Sequence, residues 1–189
     1  TLQGAPTPSY VVGQLGTGLD FSDAQDVVAF GDPVNGAADF STGDFSISFW
    51  IKNPVGSGSF PFILSKEDLS GGPRQGYEFY ISAANTVTFK TWVGGIEIGT
   101  GADAVVPNDS QWHHITGVRK PDRLEIYLDG VLADTKLTPA GDVSNDGDLS
   151  IGKYNDGLTW SDFDGQIDGV GLYDQALGTA AITTLANNL

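Results

Sequence analysis

Phe163-Asp164-Gly165-Gln166-Ile167-Asp168-Gly169-Val170-Gly171-Leu172-Tyr173-Asp174-Gln175-Ala176-Leu177 is the stretch that decides the fold. It reads as a long strand with acidic residues along one edge, and it gives way to a short helical tail, Thr179 to Asn188. Set beside Phe45-Ser46-Ile47-Ser48-Phe49-Trp50-Ile51 and Trp112-His113-His114-Ile115, it describes a strand-built protein that closes on one late helix.

Working outward, strand patterns recur over 17–21, 27–30, 44–52, 60–66, 76–82, 86–93, 112–119, 123–129, 131–136, 148–153 and 163–173. Turn pairs separate them, among them Asn35-Gly36, Asp129-Gly130, Asp146-Gly147 and Asp156-Gly157. Asp129-Gly130 between two apolar runs is a strong hairpin signal. Many short strands with one late helix indicate a two-sheet antiparallel β-sandwich of the jelly-roll kind. Residues 1–15, with Pro6 and Pro8, read as an entry segment, and 16–189 as a single domain.

Side chains alternate across a strand. Phe45, Ile47, Phe49 and Ile51 therefore share one face, as do Tyr77, Phe79 and Ile81, and Val87, Phe89, Thr91 and Val93. A turn at Ala84-Asn85 would set Tyr80 beside Lys90 and Glu78 beside Trp92. The opposite, non-core face would then carry Glu78, Tyr80, Ser82, Thr88, Lys90 and Trp92.

The chain has 189 residues and a formal charge of −15, from 24 acids against 9 bases. Four acids are Glu (Glu67, Glu78, Glu97, Glu125) and the rest are Asp, which favours turns. Such charge opposes nucleic acid and anionic membranes, and no stretch is apolar enough to span a bilayer. It suits hard cations such as calcium, and equally a dispersed, soluble surface. With no Cys, disulfides and thiolate chemistry are excluded. Because the chain opens on Thr1, it is read as a mature product or an excised domain.

The ordered set of motifs resembles the laminin-G-like jelly-roll domains of the concanavalin A-like lectin/glucanase superfamily. The matching pieces are Gly18-Leu19-Asp20-Phe21, Gly43 to Lys52, Phe62 to Lys66, Gly76 to Ile81, Trp112 to Val118, Leu124 to Gly130, Leu149 to Gly152 and Gly165 to Val170, covering 16–186. Gly169 and Gly171 depart from the pattern, which implies a flatter or more closely approached last strand. Trp50 and Trp112 belong to the signature and are expected in the core. The resemblance implies a structural calcium held by Asp168 together with backbone carbonyls and an acid from the N-terminal loops, for which Asp23 and Asp39 are the nearest matches. The alternative for Asp168 is a carboxylate capping a neighbouring loop. Asp142, Asn145, Asp146 and Asp148 form a second oxygen-rich loop without EF-hand spacing.

Catalysis finds little support. Retaining glycosidases of this superfamily need two carboxyls about 5–5.5 Å apart, and no two Glu lie within ten residues of each other in sequence. Asp162/Asp164 and Asp146/Asp148 have the spacing but sit at turns. His113 and His114 are read as structural. No nucleophile elbow or phosphate loop is present.

Sugar binding needs flat aromatic surfaces with a few polar groups. Trp92 with Tyr80 meets that need. So do two further clusters: Trp160 with Tyr154, Asn155 and Asp162, and Lys66 with Arg74 and Gln75. The expected function is a non-catalytic carbohydrate-binding or adhesive module of an extracellular or cell-surface microbial protein. Its partners would be a polysaccharide or glycan and other domains of a larger protein. The alternatives are a protein-interaction or structural domain without glycan binding, and a divergent glycoside hydrolase.

Overall fold

The computed structural model describes residues 7–23, 26–55, 61–68, 72–82, 85–100, 104–138, 141–153 and 163–187. In chain order the elements are β1 (Ser9–Val12), β2 (Thr17–Asp20), β3 (Val28–Ala29), β4 (Phe45–Val55), β5 (Phe62–Asp68), β6 (Gln75–Ser82), β7 (Thr86–Val93), β8 (Ile96–Gly99), β9 (Trp112–Lys120), β10 (Arg123–Leu128), β11 (Val131–Leu137), β12 (Leu149–Ile151), β13 (Asp164–Tyr173) and α1 (Thr179–Asn187). A seven-stranded sheet runs β1-β2-β13-β4-β9-β10-β11, and a six-stranded sheet runs β3-β12-β5-β6-β7-β8. The strand pairs in both are antiparallel. No helix among the described residues is long and apolar enough to cross a membrane.

The alternation places the core where the sequence puts it. Phe45, Ile47, Phe49 and Ile51 of β4 face Tyr77, Phe79, Ile81, Val87 and Phe89 of the other sheet, all without solvent exposure. Phe79 and Phe89 stack with centroids 4.7 Å apart, and Phe49 meets Phe79 edge-on at 5.2 Å. Gly117 of β9 makes room for that stack, since a methyl there would lie 2.4 Å from Phe79 Cζ. A second, smaller cluster lies on the outer face of the seven-stranded sheet, where Leu177 and Ile182 pack on Val118 and Tyr127.

Four expectations change. First, the entry segment is partly sheet: β1 pairs with β2 from Ser9↔Asp20 to Val12↔Thr17. Its four residues are too short to announce a strand, yet they cover the backbone groups that β2 would otherwise leave unpaired. Second, β8 follows β7 through Gly94-Gly95 and adds an edge strand to the six-stranded sheet.

Third, β6 and β7 pair as Ser82↔Thr86, which puts Glu78 opposite Lys90 and Gly76 opposite Trp92. The loop is one residue longer than a two-residue turn, and that shifts the register. Fourth, β13 is bulged rather than flat. The register against β4 slips between Asp168 and Gly171, and Gly169 takes φ +59°, a left-handed conformation that glycine adopts without strain.

Candidate functional site

The non-core face of the β6–β7 hairpin carries a charge network. Glu78 is 1% exposed and meets Lys90 Nζ at 3.0 Å, and Lys90 reaches Glu97 at 2.9 Å. Arg74 donates through Nε to Glu67 and through Nη2 to Glu78 at 3.4 Å. Its guanidinium lies 3.9 Å from the Trp92 ring centroid, and Lys90 Nζ lies 4.5 Å from that of Tyr80.

The expected aromatic pair is therefore present, but two cations already cover its rings. Trp92 and Tyr80 are half-buried and offer no open stacking platform.

This face also holds a carboxyl pair that sequence separation concealed. Glu67 on β5 and Glu78 on β6 are side by side, because the hairpin between them folds eleven positions back on themselves. Burial, and then the hydrogen bond and charge of Glu78, push the Glu67 carboxyl up to about 9, against the pull of Arg74. One proton on Glu67 leaves Glu78 and Glu97 to balance Arg74 and Lys90. Both paired glutamates have side chains 1% exposed, so this is a buried network and not a pair lining an open cleft.

An open concavity lies elsewhere. On β4, Trp50 and Lys52 take the outward parity, and Trp112 stands opposite Lys52 on β9. Around them gather Gln14 from the β1–β2 turn, Ser110 and Gln111 from the loop before β9, Asp129 from the β10–β11 turn, His113, and Ala186 and Asn187 at the end of α1. The groove has a volume of about 540 Å³.

Trp50 is 4% exposed and forms its floor, meeting His114 edge-on at 5.0 Å. Trp112 is half-buried along its wall, with Lys52 Nζ 5.9 Å from its centroid. Both tryptophans were expected in the core; Trp50 is buried, while strand parity sets both on the outer face of the seven-stranded sheet. That parity was readable in Ser46, Ser48, Trp50 and Lys52. What reading missed is that the chain termini and two loops would build walls around this end of the strands.

The acids of the groove are already engaged. Asp129 accepts from the His114 backbone N–H at 2.8 Å and lies 2.8 Å from His113 Nδ1. Asp109 accepts from the Gln111 N–H at 2.8 Å and lies 3.2 Å from His113 Nε2. Burial draws the His113 pKa down, but these two carboxylates outweigh it and raise it above the ordinary value. Burial holds His114 low, at about 4.

The remaining expected residues scatter. Tyr154, Asn155, Trp160 and Asp162 lie outside the described residues. Lys66 is no ligand contact: it takes the core-facing parity of β5, has no exposure, and pairs with Asp39 at 3.0 Å and Asp32 at 3.2 Å. Arg74 is committed to the network above. Gln75 donates to the Asp142 carbonyl.

The calcium set does not converge. Asp168 Oδ2 accepts from the Leu15 N–H and Oδ1 from the Gly169 N–H, each at 2.7 Å, so it ties the β1–β2 turn to the bulge. Asp39 is held by Lys66, and the Asp23 N–H donates to Asp26. Among the described residues, no three His, Asp or Glu gather to hold a metal ion. Asp168, Asp39 and Asp23 are thus engaged with separate partners, and the three do not form one acidic cluster.

The family model for laminin-G-like domains of the concanavalin A-like lectin/glucanases superfamily matches residues 22–183. The chain belongs to that family. The binding domain of Paraclostridial Mosquitocidal Protein 1 superposes with TM-score 0.75 at 18% identity, over 99% of this chain and 47% of that one.

Domain 4 of AbnA, a GH43 extracellular arabinanase from Geobacillus stearothermophilus solved with arabinotriose, gives 0.71 at 17% identity, over 96% and 82%. A SAP-like pentraxin from Limulus polyphemus gives 0.59 at 20%, over 87% and 83%. The laminin-G-like chain spans about half of the mosquitocidal binding-domain chain it matches. No curated protein matches it in sequence. At these identities the likeness shows the fold, and the fold is one that carries binding domains.

Proposed function

We propose that this chain is a non-catalytic carbohydrate-binding module of an extracellular protein, with the groove around Trp112 as its glycan site. The observation that carries the reading is a half-buried tryptophan wall in an open concavity of about 540 Å³, ringed by amide side chains. That volume lies within the ordinary range for ligand pockets. The indole offers a flat apolar surface to a pyranose face, while Gln14, Gln111 and Asn187 supply donors and acceptors for hydroxyls.

The two sheets hold this wall rigid, so little ordering entropy is lost on binding. An open groove gives modest affinity, and several modules on one parent chain raise it through avidity. Structural neighbours that include a toxin binding domain and an arabinanase domain solved with arabinotriose support the class of activity. This reading of the groove does not draw on calcium.

Affinity electrophoresis through gels cast with plant and bacterial polysaccharides tests the reading. At least one polysaccharide is expected to retard the wild type and to release Trp112→Ala. Retention by none moves the chain to the protein-interaction class, and equal retention of the variant removes the groove as the glycan site.

A further inference from the structure

The basic residues of this molecule are mostly matched. Lys66 meets Asp32 and Asp39; Arg74 meets Glu67 and Glu78; Lys90 meets Glu78 and Glu97; Lys120 and Arg123 meet Glu125. Arg119 is buried against the carbonyl oxygens of Ser41 and Gly43. With 24 acids for 9 bases, carboxylates are abundant enough to pair every cation.

Lys52 is the exception inside a concavity. It is half-buried, lines the groove, and has no carboxylate partner among the described residues; its recorded neighbour is the Trp112 ring. Its strand partner on β13, Gln166, does not neutralise it and instead donates to Asp20. A partly desolvated ammonium with no counter-charge is costly, and a bound anion removes that cost.

The groove's own acids do not supply the counter-charge. Asp129 is held by His113 and the His114 N–H, and neighbouring Asp109 by His113 and the Gln111 N–H. His113 thus sits between the two carboxylates. Neither carboxylate pairs with Lys52, on a molecule of net charge −15.

Resting on the glycan reading of the same groove, we propose that it selects acidic sugars: a pyranose ring stacks on Trp112 and its ring carboxylate pairs with Lys52. Geometry supports this division of labour. Lys52 and Trp112 are cross-strand partners, and the ammonium lies over the indole ring 5.9 Å from its centroid, so charge and aromatic surface share one site. A uronate carries its carboxylate on the ring itself, at the edge of the face that stacks. Neutral hexoses carry a hydroxymethyl group there, which leaves Lys52 unpaired. Short oligosaccharides are the right probes, because the overall negative charge repels a long polyanion.

Titration calorimetry at about 0.15 M salt compares matched acidic and neutral trisaccharides: trigalacturonate with galactotriose, and a glucuronate-containing trimer with its glucose counterpart. At least one acidic member is expected to bind roughly tenfold tighter than its neutral match, the effect of one charge-assisted hydrogen bond.

Lys52→Gln is expected to erase that ratio by weakening the acidic members, while Trp112→Ala weakens acidic and neutral members alike. Melting curves for each variant confirm that it is folded. If neutral and acidic members bind alike, or Lys52→Gln leaves the ratio intact, acidic selectivity is overturned and the glycan groove stands. If no trisaccharide and no polysaccharide depends on Trp112, both fail together.

Discussion

His113 Nδ1 lies 2.8 Å from Asp129 Oδ2, joining the start of β9 to the tight turn between β10 and β11. Asp129 occupies that turn at φ 50°, beside Gly130 at φ 80°, the paired left-handed geometry that two-residue hairpins favour. The hairpin signal Asp-Gly therefore does two things here: it closes the turn, and it aims a carboxylate into the groove. The His113 ring has carboxylates at both nitrogens, which the doubly protonated form satisfies best.

The two adjacent histidines are expected to titrate in opposite directions. In proton NMR, His113 should show a midpoint above the ordinary value near 6.5, and His114 one near 4. A raised folded-state pKa means that His113 contributes stability fully below about 6.5 and loses it as pH rises through the shifted midpoint. His114 works the other way: its contribution is present above about 6.5 and is lost as pH falls toward 4. Asp129→Asn should move the His113 midpoint back toward the ordinary value. An unmoved midpoint would show that the pairing does not govern the ring.

Glu67 makes the fold less stable as pH rises. Its folded pKa is raised to about 9 by burial and by Glu78, so the native state holds a proton that the unfolded chain releases near 4.5. Stability from this group is full below 4.5 and declines as pH climbs toward 9, with a limiting slope of about 1.4 kcal/mol per pH unit. Glu67→Gln keeps a neutral donor and acceptor in place. Urea melts should show a flatter pH profile over that window and no loss of stability at pH 8. A variant that loses several kcal/mol at pH 8 with the slope unchanged would rule the proton out.

Gly117→Ala tests the centre of the sandwich. A methyl there meets Phe79 Cζ at 2.4 Å and Phe89 Cδ1 at 2.9 Å, and both rings belong to a close-packed stack. Overpacking of this kind costs roughly 1–3 kcal/mol, which lowers Tm by about 2–4 °C per kcal/mol in a chain of this size. Gly72→Ala, with nothing within 4 Å, is the control and should be neutral. Equal melting of the two variants would contradict the packing described.

Asp168 separates capping from metal binding. As a cap for the Leu15 and Gly169 N–H groups, Asp168→Asn should cost about 1 kcal/mol, equally in calcium and in chelator. A cost that disappears in chelator would instead make Asp168 a calcium ligand.

Trp112→Ala and Trp92→Ala should part company. The first is expected to lose glycan retention with little change in melting. The second should lower stability by about 1 kcal/mol, since Arg74 stacks on that ring at 3.9 Å, and should keep retention. The reverse pattern would move the site to the hairpin face.

The strands themselves were plain in the residues. β7 runs Thr86–Val93, and the apolar parity of β4, β6 and β7 all points inward, as alternation required. Less plain were β1, which lies within the Pro6/Pro8 entry segment, and β8, set off from β7 by Gly94-Gly95. Reading also failed for Lys66, a lysine that looked like a surface contact. Strand parity turns it to the core side, where Asp32 and Asp39 come from a distant loop to meet it.

Alternation of side chains is a property of a single strand, so the order of residues alone determined which faces are apolar and hence that two layers must stack. Which polar residues meet is decided by register between strands and by where loops end, and neither is encoded within one segment. One extra residue in a turn sets Glu78 opposite Lys90, and a folded hairpin brings Glu67 to Glu78. Only the packed sheets, with α1 and the β1–β2 turn drawn over one end, make a wall of Trp112 and leave Lys52 beside it.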